Sequence, residues 1–216
     1  MYNVVIPHNI VIVVDVSSVK AVEEPDALTR RLVDEAGLLL TERGPAGLSL
    51  RKLAEAAGTS TMTVYTRFGN KQGLLAAMHR EGFRRLGDAL AGAAAEADPL
   101  RALLETGRAY RRAALAGATL YGLMFGPPVE GLAPSPEDEA AAAATYLPLV
   151  DAVRRCCDAG VLTGDPERVA RHLWTVTHGA VSLELAGRLP GLGQEPEEAY
   201  DEALVTAAAP FLTAPH

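Results

Sequence analysis

The clearest hydrophobic pattern in this chain begins at residue 49, where apolar side chains recur with the spacing of a helix. The spacing is i, i+3, i+4 and i+7, which lines one face of a short helix, and the positions are Leu50, Leu53, Ala54 and Ala57. Ser49 precedes the run at the N-cap position, and Gly58 follows it where a helix ends most easily with a positive φ. The pattern therefore predicts a short helix between Ser49 and Gly58.

A second short helix is predicted after a tight turn at Thr59, with Ser60 as its N-cap. Val64 and Phe68 lie four positions apart on its inner side. The opposite side has no acidic residue and carries hydroxyls, an aromatic ring and an arginine: Thr61, Met62, Thr63, Tyr65, Thr66 and Arg67. Two short helices joined by a glycine-containing turn predict a helix-turn-helix, whose outer face suits phosphate oxygens and base edges. The spacing also fits two packed surface helices of any all-α domain.

A further helix is predicted directly after this pair. Gly69 ends the second helix, Asn70 is placed to cap the next one, and Lys71 is its first residue. The whole stretch, LSLRKLAEAAGTSTMTVYTRFGNKQGLL, resembles the DNA-binding domain of the TetR family of bacterial transcriptional regulators. The most specific part of the resemblance is the run formed by Tyr65, Phe68 and Lys71.

The resemblance implies that the second helix reads duplex DNA and that a helix starting near Pro25 packs across the pair. On the outer side of the second helix, we expect four residues to face base edges: Thr61, Met62, Thr63 and Arg67. We expect four others to contact the DNA backbone: Ser49, Tyr65, Thr66 and Lys71.

Helical periodicity continues over most of the chain, so the pattern predicts an all-α protein with two domains. We expect a helix-turn-helix domain over 25–72 and a helical ligand-binding and dimerisation domain over 73–216. The other helices are predicted over 25–43, 71–95, 100–116, 120–125, 137–159, 165–189 and 195–212. Pro148 is expected to kink the helix over 137–159.

Residues 1–24 do not share this helical pattern. Two β-branched runs, 4–6 and 10–14, flank Pro7 and predict one or two strands. Neither run approaches the roughly 20 apolar residues that span a bilayer, so we expect no membrane segment. The residues are open to two interpretations: an atypical strand or disordered arm ahead of the domain, or translated sequence upstream of the true start.

The C-terminal part carries a second, looser resemblance. YRRAALAGATLYGLMFG followed by LWTVTHGAVSLELAGRL resembles the C-terminal domain of one TetR subgroup, in which a run like Trp174, His178 and Gly179 occurs. Aromatic and sulfur-containing side chains gather here, and they can either fill a core or line a pocket between helices. As a pocket they predict a mostly apolar ligand with one or two polar groups, bound by Tyr110, Tyr121, Met124, Phe125, Tyr146, Val150, Trp174 and His178.

The distribution of charge supports a DNA-binding head, although the net charge of the chain is −7. Residues 25–85 hold ten Lys or Arg against six Asp or Glu, whereas residues 86–216 hold nine against eighteen. A basic head on an acidic body concentrates attraction to phosphate in one region.

Other chemistry is poorly represented in the sequence. The two cysteines, Cys156 and Cys157, are adjacent and do not form a disulfide framework, which fits a reducing cytoplasm. His178 lacks the second histidine and carboxylate of a metal motif, so we expect neither metal nor cofactor. The sequence has no nucleophile elbow, phosphate loop or dinucleotide fingerprint, so an enzyme is the weaker hypothesis.

Together these features predict a cytoplasmic repressor that binds operator DNA as a homodimer and is released by a small molecule. A recognition helix reads few base pairs, so a two-fold dimer is expected. Apolar stripes on the last two helices predict its interface: Leu173, Val176, Ala180, Leu183, Ala199, Ala203 and Ala207. The alternatives are an activator, a ligand-independent regulator, or a helical enzyme or scaffold with a helix-turn-helix-like pair.

Overall fold

A computed structural model describes residues 2–6, 10–14, 25–189 and 194–213 of the chain. The N-terminal runs form two strands, β1 (Tyr2–Ile6) and β2 (Ile10–Val14), which pair antiparallel with Tyr2 opposite Val14 and Ile6 opposite Ile10. The prediction of strands is thus confirmed. The other residues of this extension, 1, 7–9 and 15–24, lie outside the described ranges, and whether residues 1–24 belong to the native protein stays a prediction.

Ten α-helices follow in the described residues, and the fold there is all-α apart from the N-terminal strand pair. The helices are α1 (Ala27–Gly47), α2 (Leu50–Ala56), α3 (Thr61–Phe68), α4 (Lys71–Ala94), α5 (Pro99–Ala116), α6 (Ala118–Phe125), α7 (Pro136–Ala144), α8 (Leu147–Asp158), α9 (Pro166–Leu185) and α10 (Pro196–Ala208). A 3-10 turn, Ala209–Phe211, comes after α10.

Several boundaries differ from the predictions, as the following examples at a proline or glycine show. The helix predicted over 137–159 is two helices, and Pro148 lies in the first turn of α8, where its missing N–H costs no hydrogen bond. Gly44, at φ 64°, interrupts α1. The last α-helix ends at Ala208, two residues before Pro210.

The chain forms two compact units that do not follow the predicted division at residue 72. Unit 1 comprises residues 1–85 and 117–144. Its core joins α1, α2 and α3 to the first half of α4 and to α6, through buried residues that include Leu32, Leu53, Val64, Phe68, Leu74, Leu75, Met78, Leu120 and Leu123. The helix-turn-helix therefore shares its core with residues on both sides of it and far along the chain.

Unit 2 comprises residues 86–116 and 145–216, and it includes the second half of α4. α5, α8, α9 and α10 pack together here, with Tyr200 buried and its hydroxyl donating to the Gly107 carbonyl at 2.8 Å. Arg111 pairs with Glu184 at 2.7 Å, and its guanidinium lies 5.7 Å from the centre of the Tyr200 ring. Arg155 donates to the carbonyls of Ala94, Glu96 and Ala97 and so satisfies groups at the end of α4.

None of the helices in the described ranges is long and apolar enough to cross a membrane.

The unit 1 core supplies a test of stability. Leu53 is completely buried in it, so Leu53→Ala removes apolar contacts and leaves a cavity, which should lower the free energy of unfolding by roughly 2–5 kcal/mol. Leu38 is a largely exposed leucine on α1, and Leu38→Ala should change it by less than about 0.5 kcal/mol. Urea titration followed by circular dichroism measures both. Equal losses for the two variants would contradict the assigned core.

Candidate nucleic-acid interface

The helix-turn-helix is closed by local hydrogen bonds at each helix end. The Ser49 hydroxyl accepts from the Lys52 N–H at 3.3 Å and caps α2. Gly58, at φ 61°, turns the chain after α2, and the Thr59 N–H donates to the Ala54 carbonyl at 2.9 Å. Because Gly has no Cβ, this left-handed conformation costs little. Both predicted roles, N-cap and glycine stop, are confirmed.

α3 has one buried and one exposed side. Ser60 caps it by accepting from the Thr63 N–H at 3.0 Å. Val64 and Phe68 are buried in the unit 1 core, and they turn the opposite side of the helix outward. Met62 is 75% exposed and Tyr65 is also exposed. The outer side of α3 therefore carries both apolar and polar groups in contact with solvent.

The corner between α3 and α4 is equally well defined. Gly69, at φ 69°, ends α3. Asn70 Oδ1 accepts from the Gly73 N–H at 2.9 Å and so satisfies one of the free donors at the start of α4. Lys71 Nζ donates to the carbonyl of Pro45, in the segment after the Gly44 break. A cation is thereby held beside the start of α4.

Arg67 is paired within unit 1. Its guanidinium lies 2.9 Å from Asp26 Oδ2 and donates to the Thr29 hydroxyl at 2.9 Å. Asp26 also caps α1, since its carboxylate accepts from the Thr29 N–H at 2.7 Å. Hydrogen bonds from Thr29, and then Arg67, hold the pKa of Asp26 below its ordinary value. Because Asp26 faces solvent, water competes with this ion pair and a stronger partner can replace it.

The eight predicted DNA contacts lie at the N-cap of α2, on α3 or at the start of α4, but their side chains differ in exposure. Five are exposed on α3: Thr61, Met62, Tyr65, Thr66 and Arg67. Three are half-buried: Ser49, Thr63 and Lys71. The Thr63 hydroxyl lies 2.8 Å from that of Ser60, so it already has a partner. The division between base and backbone contacts stays a prediction.

Two residues that sequence reasoning did not single out hold this surface in place. Asp26 pairs with Arg67, as described, and Arg31 Nη2 donates to the Ala57 carbonyl at 3.0 Å, which ties α1 to the end of α2. The N-cap position of Asp26 is visible in the sequence. Its pairing with a residue 41 positions later is not.

The eight predicted ligand residues fall into two groups in different units. Tyr121, Met124 and Phe125 lie on α6 in unit 1, where the Phe125 ring is 4.9 Å from Tyr121 and 5.4 Å from Phe83. The other five lie in unit 2: Tyr110, Tyr146, Val150, Trp174 and His178. The sequence prediction treated them as one set.

The unit 2 group is a row of neutral polar and aromatic side chains. The Tyr110 hydroxyl lies 2.8 Å from His178 Nδ1, and the Trp174 ring is 5.4 Å from His178 and 6.0 Å from Tyr146. Burial lowers the pKa of His178 and raises the pKa of Tyr146 to about 12, which keeps both uncharged near pH 7. The buried Tyr146 hydroxyl has no hydrogen-bond partner among the described residues. Such a group favours an uncharged ligand.

His79 on α4 was missed by sequence reasoning. It is 5% exposed, and its Nδ1 is a second buried polar atom without a hydrogen-bond partner in the described part of the chain. Its ring lies 4.9 Å from Phe83 in an edge-to-face arrangement. The sequence gives no signal that this histidine is buried, because only packing decides which side of α4 is covered.

Metal-binding chemistry is not assembled in the residues that the structure describes, where no three His, Cys, Asp or Glu side chains gather in a way that could hold an ion.

Two family models match the chain. One, described as bacterial regulatory proteins of the tetR family, matches residues 32–78, and the other, described as a tetracyclin repressor-like C-terminal domain, matches residues 103–207. An uncharacterized HTH-type transcriptional regulator of Mycobacterium tuberculosis is 43% identical over 58 residues, which span 26% of this chain and 28% of that protein.

Solved structures resemble the chain over a larger share of its length. A protein of unknown function from Rhodococcus sp. RHA1 has a TM-score of 0.73 and 29% identity, covering 90% of this chain and 100% of the other. The TetR-family transcriptional regulator PfmR from Thermus thermophilus has a TM-score of 0.66 and 24% identity, covering 83% and 97%. The second likeness concerns the fold alone.

The Ser60 cap provides a test of how α3 is held. Ser60→Ala removes the acceptor for the Thr63 N–H and should lower the free energy of unfolding by about 1 kcal/mol, whereas Ser60→Gly should cost only a few tenths of that. Urea titration of the two variants beside the parent chain measures the difference. An alanine variant as stable as the parent would show that the cap contributes nothing.

Proposed function

This chain belongs to the TetR family of bacterial transcriptional regulators, and on that premise we propose that it is a cytoplasmic repressor that binds operator DNA as a homodimer and leaves it when a small, mostly apolar molecule binds. The observation that carries the proposal is the outer face of α3, where exposed hydroxyls, Met62, Tyr65 and Arg67 lie opposite two buried anchors.

In this proposal α3 enters the major groove. Thr61, Met62, Thr63 and Arg67 face base edges, where a methionine side chain can pack on a thymine methyl group. Ser49, Tyr65, Thr66 and Lys71 contact the DNA backbone and set the register of the helix. Lys71 is supported in this role by its place at the start of α4, where the helix dipole also favours a phosphate.

Arg67 must exchange partners when the DNA binds. In the free protein it pairs with Asp26, which also caps α1. Both groups face solvent, so a phosphate or a guanine edge can replace the carboxylate. In the free protein the pair therefore ties Arg67 of α3 to the N-cap of α1 until DNA arrives.

Two substitutions with different expected effects test the DNA contacts. Lys71→Ala should weaken binding to all duplexes alike and reduce the slope of log affinity against log salt by about one unit. Met62→Ala should instead change which sequences are selected from a random duplex pool, with little change in the salt slope. Fluorescence anisotropy across a salt series and sequencing of the selected duplexes measure the two effects.

Arg101→Ala serves as the matched control, since it removes one exposed cation from α5 in unit 2. It should leave both the salt slope and the selected sequences unchanged. If Lys71→Ala and Met62→Ala behave like Arg101→Ala, α3 and the start of α4 are not the DNA-reading surface.

Dimerisation is proposed through α9 and α10. The structure buries Leu173 and Ala207 within unit 2 but leaves Leu183 45% and Val205 56% exposed on these two helices. Exposed apolar side chains on neighbouring helices favour a self-complementary contact with a second copy. Val205 was not in the predicted stripe, which listed only alanines on α10.

A double substitution, Leu183→Asp with Val205→Asp, should convert the dimer to a monomer, because it places two carboxylates in an apolar interface of each protomer. Light scattering after size-exclusion chromatography at micromolar concentration gives the mass. Leu38→Asp, at a similarly exposed leucine on α1, should leave the dimer intact. A parent chain that is itself monomeric under these conditions would contradict the homodimer.

Release by a ligand is supported by how α6 is placed within unit 1. Leu120 and Leu123 of α6 belong to the core that also contains Val64 and Phe68 of α3. The hydroxyls of Thr119 on α6 and Thr41 on α1 lie 2.5 Å apart. Movement of α6 would therefore act on α1 directly and on α3 through the core that they share. A ligand shifts two such arrangements only if it binds them with different affinity.

A further inference from the structure

We propose that His79, on the side of α4 that meets α6, is the polar group of an effector subsite that opens when the Met124 side chain moves aside. The subsite takes a neutral aromatic molecule that carries a hydroxyl group. This inference rests on the proposed release by a small molecule and names the chemistry of one part of its site.

The walls of the subsite are aromatic. The His79 ring lies 4.9 Å from Phe83, and Phe83 lies 5.4 Å from Phe125, in both cases in an edge-to-face arrangement. Tyr121 extends the row, with its ring 4.9 Å from Phe125. Aromatic edges and faces of this kind pack well against a flat aromatic ligand.

Met124 occupies the space beside this row. Gly82 directly precedes Phe83 on α4, and a Cβ added at Gly82 would be 2.6 Å from Met124 Sδ and 3.3 Å from Leu120 Cβ. The absence of a side chain at Gly82 is thus what lets α6 approach α4 so closely. Methionine is flexible and polarizable, so its side chain can leave this space at small cost and be replaced by a ligand.

His79 lies three residues before Gly82 and so on the same side of α4, where it is the polar group of this region. Nδ1 is buried without a hydrogen-bond partner among the described residues, and an unsatisfied buried polar atom lowers stability unless something pairs with it. Burial lowers the pKa of His79, while Asp138 raises it and Arg80 lowers it. The imidazole is therefore neutral near pH 7. A hydroxyl group suits either tautomer, because it can both donate and accept.

An anionic ligand is disfavoured by the neighbouring charges. Arg80 Nη1 is 3.3 Å from Asp138, and Arg84 and Arg85 both donate to the buried Glu81 carboxylate at 2.7–2.8 Å. These three cations already have carboxylate partners. A buried anion would have to take one of them away, and this would leave a carboxylate uncompensated.

A ligand bound in the subsite would act on the helix-turn-helix in unit 1. A ligand that displaces Met124 presses on α6, whose Leu120 and Leu123 lie in the unit 1 core with Val64 and Phe68. The core is close-packed, so a displaced α6 requires a changed arrangement of α3 or α1.

The test uses the full chain and two probes that differ only in a hydroxyl group, 2-naphthol and naphthalene. Fluorescence titration should give a dissociation constant for 2-naphthol about tenfold lower than for naphthalene, the effect of one buried hydrogen bond. His79→Phe and His79→Leu should remove this preference, and thermal unfolding should show both variants folded. Failure of the parent chain to bind 2-naphthol, or an unchanged preference in the variants, would overturn the subsite.

Glycine substitutions on α4 give a steric test with a matched control. Gly82→Ala fills the space at Met124 and should abolish 2-naphthol binding, whereas Gly92→Ala has nothing within 4 Å of the added Cβ and should leave it unchanged. Equal binding by the two variants would place the site elsewhere.

DNA binding is measured separately, with duplexes selected from a random pool. 2-Naphthol should dissociate the complex of the parent chain but not that of His79→Phe. A probe that binds with the expected preference and leaves the parent complex intact overturns the effector role. A chain that binds the probe but no duplex contradicts the proposed repressor and leaves the His79 assignment standing, so the two failures are distinguishable.

Discussion

The burial of Val64 and Phe68 is the interaction on which the rest of this structure depends. These two side chains fix α3 to a core made by α1, α2, the first half of α4 and α6. They lie four positions apart on an eight-residue helix. Burying both therefore fixes the rotation of α3 about its own axis and turns its opposite side toward solvent. A helix this short has little stability of its own, so packing must supply it.

In the proposed function, the same packing links DNA reading to ligand response within one chain. Leu120 and Leu123 come from α6, more than fifty residues after α3, yet they belong to the same buried core as Val64 and Phe68. The core of the reading head is therefore incomplete without α6. Any molecule that changes how α6 packs changes the support of α3, and no long relay through the protein is needed for this effect.

The polar groups of unit 1 differ in how firmly their partners hold them at the surface and in the interior. Arg67 and Asp26 pair in solvent, where water and other ions compete with the carboxylate. Glu81 is buried, and although burial raises its pKa, hydrogen bonds from Arg84 and Arg85 lower it below the ordinary value, so it stays charged and holds Arg85 beside Asp34. His79 is buried with no partner for Nδ1 among the described residues, which marks the least satisfied position on α4. We expect a functional role where a buried polar group lacks a hydrogen-bond partner, since natural proteins break local packing rules mainly at functional sites.

The sequence by itself determined where α2, α3 and α4 begin and which two sides α3 has. Ser49, Ser60 and Asn70 cap their helices through bonds to N–H groups three residues later, and a helical period is local, so neither depends on distant parts of the chain. Only the tertiary structure decided that Arg67 pairs with Asp26 and that α6 contributes to the unit 1 core. It also decided that the predicted ligand residues lie in two different units. These relations join residues dozens of positions apart, and they depend on which helix faces pack together, which no local spacing encodes.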